Sequence, residues 1–317
     1  MRFALSFPVQ AQQPKRVPRI GLLVPGSATN YESRIKAFRK GLRELKYLEG
    51  QNVNIEYRYA EGKLDRLTEL AAELVRLKVD MIVTSGGASV NAAKRATSTI
   101  PIVAANTHDL LGPGHAASLA RPGGNITGLT NMAPELAGKR LELLKEIISK
   151  LSLVAVLWWN DPGAPGPSAT WKESQLSARE LRLQLHSMEV RDPGDFERVF
   201  EDAVKVRSDA LALIPSPFFS AHQNRITRLA TKSRLPAIYS QAEYTNAGGL
   251  MSYGPDVVYQ HYRAATYADK ILKGTKPSDI PVEQPTKFEF IINLKAAKQI
   301  DLMIPPNVLA RADRVIK

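Results

Sequence analysis

The stretch from Val79 to Asn91, VDMIVTSGGASVN, decides the predicted fold. Four largely apolar residues, Met81–Thr84, run directly into Ser85-Gly86-Gly87, which predicts a buried strand that ends at a glycine turn. Residues 88–96 then have helical character, with Ser85 or Ser89 as a candidate N-cap. A buried strand that leads straight into a helix is the repeating unit of an α/β sheet.

This junction is also a candidate binding site. It presents two hydroxyls, free backbone N–H groups and the positive end of a helix dipole, which together suit an anion. Ligands of open α/β sheets bind at the carboxyl ends of the strands. The alternative interpretation is an ordinary strand-to-helix turn, whose glycines only relieve backbone strain.

The rest of the chain repeats the alternation of strand and helix in two similar series. The first series has strands at Ile20–Val24, Val53–Tyr59, Met81–Thr84 and Pro101–Ala104. The second series has strands at Leu153–Trp158, Leu185–Val190, Ala210–Ile214 and Ala237–Tyr239. The similar spacing predicts two doubly wound, Rossmann-like lobes with parallel sheets.

Three further elements follow these two series, namely a strand at Gly248–Tyr253, a helix at Val257–Leu272 and a strand at Glu289–Ile292. They are too few for a third domain, so we expect the chain to return to the first lobe and then to the second. The predicted first lobe comprises residues 19–128 and about 248–284, and the second comprises 129–247 and about 285–317. Several crossings between lobes would form a hinge, and the cleft between lobes is a common ligand site.

Composition excludes several classes of function. The net charge of +12 comes from 43 basic residues scattered among 31 acidic ones, without a basic tract interleaved with aromatics, so no nucleic-acid partner is expected. The chain has no cysteine, which excludes disulfides, thiolate catalysis and a lipoprotein anchor. The P-loop, HExxH and GxSxG motifs are absent and the five histidines lack metal-ligand spacing, so we expect neither an enzyme nor a cofactor or metal.

Residues 1–18 are predicted to be a partial signal peptide or a disordered N-terminus. Met1–Val9 is short and apolar with Arg2 at its head, and Val9-Gln10-Ala11 resembles a small-residue cleavage site. Export to the periplasm, with a truncated signal peptide in this chain, is the preferred interpretation. The alternative is an irregular N-terminus of a cytoplasmic protein, with no role in export.

Three strings resemble one known family. They are LARPGGNITGLTNMAPELAGKRLELLKE at 119–146, RLPAIYSQAEYTNAGGLMSYGPD at 234–256 and ADKILKGTKPSDIPVEQPTKFEFIINLKAA at 268–297. The chain resembles the substrate-binding proteins of ABC transporters with the type I periplasmic-binding fold, in the branch that includes tryptophan- and tyrosine-binding members. The resemblance implies two lobes joined by three crossover segments, a small-molecule ligand, a permease partner and a monomer.

Two loops depart from the family pattern. His108-Asp109-Leu110 stands where Gly-Asp-Pro is usual, and Thr84-Ser85-Gly86-Gly87 stands where the family has Thr-Gly-Thr. Both loops are expected to contact ligand, so the specificity of relatives does not transfer directly.

Candidate ligand residues of the first lobe follow its strands. Thr84, Ser85 and Gly86 would hold a carboxylate through hydroxyls and N–H groups. Asp109 would receive a ligand amine, a role that rests on its position in the family; a lone loop aspartate is otherwise only solvated. The remaining candidates are Ser27 and Tyr31 after the first strand, Asn106 and His108 beside Asp109, and Asn131, which alternatively forms a hinge turn.

The second lobe contributes aromatic and polar candidates. Trp159 and Phe218 could stack on an aromatic ligand. Because Trp158 and Trp159 are adjacent in a strand, their side chains point to opposite faces and at most one lines the cleft. The other candidates are Asn160, Tyr239, Tyr253 and Glu243, which could receive an amine or merely begin a helix.

The expected function is an extracytoplasmic solute receptor of an ABC importer. It would capture a small carboxylate, an amino acid or aromatic acid, in the interlobe cleft and deliver it to a membrane permease. The alternative is a cytoplasmic ligand-sensing regulatory domain of the same fold. An α/β enzyme is the least favoured class, because no nucleophile–base arrangement is present.

Overall fold

Two sheets, each covered by helices on both faces, form the two lobes. The computed structural model describes residues 16–112, 114–159 and 166–317. The first sheet has the order β2-β1-β3-β4-β5 and is parallel throughout. The first-lobe elements are β1 (Arg19–Val24), α1 (Glu32–Glu44), β2 (Asn54–Tyr59), α2 (Leu67–Arg76), β3 (Met81–Ser85), α3 (Gly87–Ala96), β4 (Ile102–Thr107) and β5 (Ile126–Thr130).

The second sheet has seven strands in the order β12-β11-β10-β9-β8-β6-β7. Its pairs are parallel except β10–β11, which is antiparallel. The elements up to β10 are α4 (Ala137–Ile147), β6 (Leu153–Trp159), α5 (Gly166–Glu180), β7 (Gln184–Val190), α6 (Asp195–Lys205), β8 (Ala210–Leu213), α7 (Pro217–Ala221), α8 (Gln223–Lys232), β9 (Ala237–Tyr239), α9 (Ala242–Asn246) and β10 (Met251–Pro255). The later elements are α10 (Val257–Leu272), β11 (Phe288–Asn293), α11 (Leu294–Gln299), α12 (Pro306–Leu309) and β12 (Arg314–Ile316).

The predicted α/β fold with two Rossmann-like lobes is therefore confirmed. Both faces of each sheet are buried, because separate apolar clusters cover the two faces of the first sheet and the two faces of the second. Such two-sided burial is what the largely apolar run Met81–Thr84 predicts, and all residues of β3 are buried.

Three crossovers connect the lobes, as expected. The chain leaves the first sheet after β5, returns between β10 and α10, and leaves again between α10 and β11. Helix α10 packs against α1 and β4 and so belongs to the first lobe.

The position of the second crossover differs from the sequence-based boundary. That boundary assigned residues 248–284 to the first lobe, but β10 pairs with β9 and β11 of the second sheet. The chain therefore crosses at Asp256, which caps α10 by accepting a hydrogen bond from the Tyr259 N–H at 2.9 Å. A short apolar strand looks the same in either sheet, so its pattern could not show which sheet it joins.

No helix in the described ranges is both long and apolar enough to cross a membrane.

Gly128 in β5 is required by close packing of the first sheet. Its φ is +141°, and a Cβ at this position would lie 2.1 Å from the carbonyl oxygen of Ala104 in the neighbouring strand. Gly128→Ala should therefore lower the stability of the first lobe by about 1–3 kcal/mol, measured as a lower urea midpoint. Gly124→Ala is the matched control, because a Cβ there meets nothing within 4 Å. Equal midpoints for the two variants would contradict this packing.

Candidate functional site

The candidate site is the interface between the lobes, where the carboxyl ends of strands from both sheets meet. The lobes are in contact there. Asn30 Nδ2, in the loop after β1, donates to the carbonyl of Ala221 in α7 at 3.4 Å. Gly86 packs so closely on Pro217 that an added Cβ would lie 2.4 Å from the proline ring. The structure is therefore in a closed arrangement.

The central contact of this interface is an ion pair that we call the interlobe ion pair, between Arg34 of α1 and Glu243 of α9. Arg34 Nε and Nη2 donate to Glu243 Oε1 at 3.1 and 3.0 Å, and Nη2 also donates to Gln241 Oε1 at 3.2 Å. Only 4% of Arg34 is exposed. A charge of the first lobe is thus buried against a carboxylate of the second.

Burial opposes the charge of Arg34, but the Glu243 carboxylate and the neighbouring tyrosines Tyr31 and Tyr244 together raise the pKa of the guanidinium. The guanidinium also lies 4.6 Å from the centre of the Tyr31 ring, within the range of a cation–π contact. Burial raises the pKa of Tyr31, so its phenol is neutral, although Arg34 and a hydrogen bond with Ser85 act in the opposite direction. Tyr31 and Ser85 are thereby brought together beneath the ion pair.

His261 of α10 lies behind this group, in the wall of a small void that also includes Tyr31 and Ser85. Burial and the charge of Arg34 lower its pKa to about 3. The imidazole is therefore neutral at neutral pH and adds no second positive charge beside Arg34.

Two donors predicted to hold a carboxylate are already used within the first sheet. The hydroxyl of Thr84 donates to the carbonyl of Leu23 at 2.7 Å, and the N–H of Gly86 donates to the carbonyl of Asn106 at 2.7 Å. A carboxylate only accepts hydrogen bonds, so in this arrangement neither group serves it. The structure therefore does not support the predicted role of Thr84 and of the Gly86 N–H in this arrangement. Neither Ser85 nor Ser89 caps α3, whose N-cap is Gly86.

Asn106 and Asn131 belong to a chain of buried amides at the first crossover. Asn131 Nδ2 donates to Asn106 Oδ1 at 3.0 Å, and Asn106 Nδ2 donates to Gln260 Oε1 of α10. Gln260 Nε2 then donates to the Thr130 carbonyl at 2.6 Å, and Asn131 Oδ1 accepts from the Ala133 N–H at 3.1 Å. These bonds agree with the hinge-turn alternative for Asn131 and give Asn106 a structural role.

Asp109 binds its own loop. Its two carboxylate oxygens accept from the N–H groups of Leu111 and Gly112, each at 2.7 Å. The carboxylate thus has the geometry of a turn-forming aspartate, and the structure provides no support for the expected amine contact. His108 beside it is half-buried.

Ser27 similarly stabilises a turn. Its hydroxyl accepts from the Asn30 N–H at 3.1 Å, and its carbonyl accepts from the Tyr31 N–H at 3.1 Å. Ser27 therefore shapes the loop that brings Tyr31 to the interface.

The two adjacent tryptophans of β6 point to opposite faces, as predicted. Trp158 stacks on Trp171 at 5.6 Å and donates from Nε1 to Ser187 at 2.8 Å. Trp159 is half-buried and stacks on Phe218 at 5.5 Å. Asn160 lies outside the described residues.

Phe218 and Tyr239 are core residues rather than free cleft walls. Phe218 is 6% exposed and packs against Phe196 and Phe219 as well as Trp159. Tyr239 is fully buried and stacks on Tyr244 at 4.7 Å, and its hydroxyl has no hydrogen-bond partner among the described residues, so its ligand contact stays a prediction.

Tyr253 lies at the second crossover. Its ring is 6.0 Å from Phe288 and 6.3 Å from Phe290, and it packs against a cluster of the second lobe. The predicted ligand contact of its side chain is therefore not supported by its packing.

Sequence reasoning missed Arg34, Gln241 and Arg140. Arg34 shares the buried face of α1 with Phe38, Gly41 and Leu42, and Arg140 shares that of α4 with Leu144 and Ile147. An arginine inside the apolar stripe of an amphipathic helix is a signal visible in the sequence. Gln241 has no comparable signal.

The interlobe ion pair predicts a measurable effect of Glu243→Gln on the protein without ligand. Removing one partner of a buried pair costs about 3–5 kcal/mol if the other stays buried. Here Arg34 can regain water when the lobes separate, so the closed-to-open equilibrium should shift toward the open state by about tenfold or more. Small-angle scattering should show a larger radius of gyration.

Glu73→Gln is the matched control, because Glu73 pairs with Arg58 within the first lobe. An unchanged radius for Glu243→Gln, or the same increase in both variants, would show that the ion pair does not hold the lobes together.

Comparison with known proteins agrees with this architecture. The model of the ABC transporter substrate binding protein family matches residues 19–316. A tyrosine-binding protein of Clostridioides difficile is 25% identical over 272 residues, which are 84% of this chain and 76% of that protein.

Two solved structures have the same fold. A conserved domain protein of Vibrio cholerae has a TM-score of 0.88 at 24% identity. The match covers 95% of this chain and 100% of the Vibrio cholerae chain. The ABC domain of a Streptococcus pneumoniae protein in complex with L-Trp has a TM-score of 0.87 at 23% identity. The match covers 94% of this chain and 99% of that chain. Because the family model matches nearly the whole described chain, this protein belongs to the ABC transporter substrate-binding protein family.

Proposed function

We propose that this protein is the extracytoplasmic receptor of an ABC importer. It captures a small carboxylate, an amino acid or an aromatic acid, between its lobes and delivers it to a membrane permease, without covalent chemistry. The observation that carries this proposal is the layer of buried polar groups from both lobes, centred on Arg34 and Glu243, at the carboxyl ends of both sheets. Ligands of open α/β sheets bind at that edge.

Movement of the lobes is the second element of the proposal. Each lobe has its own core, and the described contacts between them include a few polar pairs that water can replace. Three crossovers permit hinge motion while keeping the lobes in register. Ligand would enter the open form and stabilise the closed one, since it contacts both lobes only there.

An amino acid is the ligand class with most support. One relative is a tyrosine-binding protein and one similar structure contains L-Trp. In this chain, Glu243 Oε2 is buried without a hydrogen-bond partner among the described residues and can accept from a ligand amine. Trp159 provides a half-buried ring for an aromatic side chain.

A thermal-shift screen against the common L-amino acids tests the proposal. Ligands that bind the folded state raise its apparent stability by mass action, so L-tryptophan or L-tyrosine should raise the melting temperature. In calorimetry, Trp159→Leu should weaken aromatic ligands about two- to tenfold more than aliphatic ones, because stacking contributes about 0.5–1.5 kcal/mol.

Trp171→Leu is the control, because Trp171 stacks on Trp158, whose side chain lies on the opposite face of β6. Phe218→Ala is a poorer probe, since truncating a core phenylalanine costs about 3–5 kcal/mol of stability. If none of the amino acids raises the melting temperature, the proposed ligand class is wrong. If both tryptophan variants bind like the wild type, Trp159 is not part of the site.

A further inference from the structure

Arg140 is a buried cation that the architecture alone does not explain. It is 4% exposed, and it lies in the first turns of α4. Its Nε donates to the Tyr253 carbonyl at 2.9 Å and its Nη1 to the Ala133 carbonyl at 3.5 Å. No carboxylate of the described residues forms an ion pair with it, whereas the equally buried Arg34 is paired with Glu243.

Arg140 lines a small void where the second lobe meets the two crossovers. The other walls are Asn131 and Ala133 of the first crossover, Pro215, Ser240 and Gln241 of the second lobe, and Pro255 and Val257 of the second crossover. Nη2 lies near the Ser240 main chain, because a Cβ on Gly254 would be 3.5 Å from Nη2 and 2.1 Å from the Ser240 carbonyl oxygen.

Ser240 supplies the second unusual group of this void. It is 3% exposed, and its hydroxyl has no hydrogen-bond partner among the described residues. Buried hydroxyls are normally paired, and buried charges are normally compensated. A guanidinium without a carboxylate partner and a hydroxyl without a hydrogen bond, in two residues that line the same void, suit an anionic acceptor.

The geometry of guanidinium favours a carboxylate. Its N–H groups form a planar array that matches the two oxygens of a carboxylate, and such charge-assisted bonds are the strong ones. The void measures about 10 Å³ in this closed arrangement, close to the size of one water molecule. Its walls belong to the second lobe and to the two crossovers, and Val257 begins α10 of the first lobe, so separation of the lobes moves Val257 away from the second-lobe walls.

We propose that Arg140 and Ser240 form the subsite that binds the carboxylate of the ligand. This inference rests on the proposed function, which it deepens by placing the carboxylate of an amino acid at the hinge side of the cleft. Gln241 connects this subsite to the interlobe ion pair, because it lines the void and also accepts from Arg34. The proposal replaces the N-terminus of α3, where two of the expected donors are already used.

The test is a double cycle in calorimetry with L-tryptophan and L-tryptophanamide as probes. The wild type should prefer the acid by about 10- to 150-fold, the equivalent of one hydrogen bond to a charged group. Arg140→Gln should lose affinity for the acid by a similar factor and change little toward the amide. Ser240→Ala should reduce the preference by about two- to tenfold.

Three variants complete the design. Arg140→Gln also loses the bonds to Tyr253 and Ala133, so Ser240→Ala, which removes no described hydrogen bond, decides the question if the former does not fold. Ser85→Ala tests the rival position at the start of α3. Arg58→Gln is the control for removal of an arginine, because Arg58 pairs with Glu73 in the first lobe.

The outcomes separate this inference from the proposed function. If the wild type binds L-tryptophan and both subsite variants keep its full preference for the acid, the subsite is wrong and the proposed function stands. Loss of the preference in Ser85→Ala alone would return the carboxylate to α3.

A wild type that binds neither probe and no other amino acid overturns the proposed ligand class. Melting temperatures in propionate and in propionamide, at equal high concentration, then decide the subsite. Stabilisation by propionate of the wild type, but not of Arg140→Gln or Ser240→Ala, supports it. Equal responses of all three proteins overturn it.

Discussion

The Arg34–Glu243 pair joins two lobes that otherwise have separate cores, and we infer that the closed arrangement depends on it. A buried ion pair is weak evidence for stability, because removing two charges from water costs about as much as their attraction returns. In this protein, the balance between desolvation and attraction determines how easily the lobes separate. When the lobes separate, both charges regain water, so the closed and open forms can lie close in free energy. A ligand that contacts both lobes then needs only modest differential affinity to shift the population.

The first lobe provides a rigid support for this equilibrium. The amide chain through Asn131, Asn106 and Gln260 ties β4, the first crossover and α10 together by hydrogen bonds that are buried from water. Buried polar networks that are fully satisfied fix one local arrangement. We infer that motion is confined to backbone beyond this network, and that the network positions Arg34 through the packing of α10 on α1.

Much of the fold could be predicted from the sequence, because it depends on patterns that strands and helices display locally. The largely apolar run Met81–Thr84 before a glycine turn indicated a buried strand, and the alternation of such units indicated two doubly wound lobes. The sheet membership of β10 could not be predicted. It depends on long-range pairing with β9 and β11, and a strand of only five residues fits either sheet.

The site was less predictable, because hydrogen-bond partners are set by tertiary structure. Thr84 and Asp109 have suitable chemistry and position, but the Leu23 carbonyl and the N–H groups after Asp109 occupy them. Conversely, Arg34 and Arg140 lie in apolar helix faces, which a search for polar residues at the ends of strands does not reach. An arginine in such a stripe is costly unless it is paired, and both here face the interlobe region.

The distance between the lobes in solution tests the central claim most directly. The chain has no cysteine, so two introduced cysteines carry the only spin labels. Thr29 and Asn224 are exposed and lie on either side of the contact between Asn30 and Ala221. Double electron–electron resonance on the spin-labelled Thr29→Cys/Asn224→Cys protein should give a distribution of label-to-label distances that contains a long distance without ligand. With a saturating concentration of an amino acid that raises the melting temperature, it should give a single short distance. A distribution that the amino acid leaves unchanged would contradict capture by closure of the two lobes.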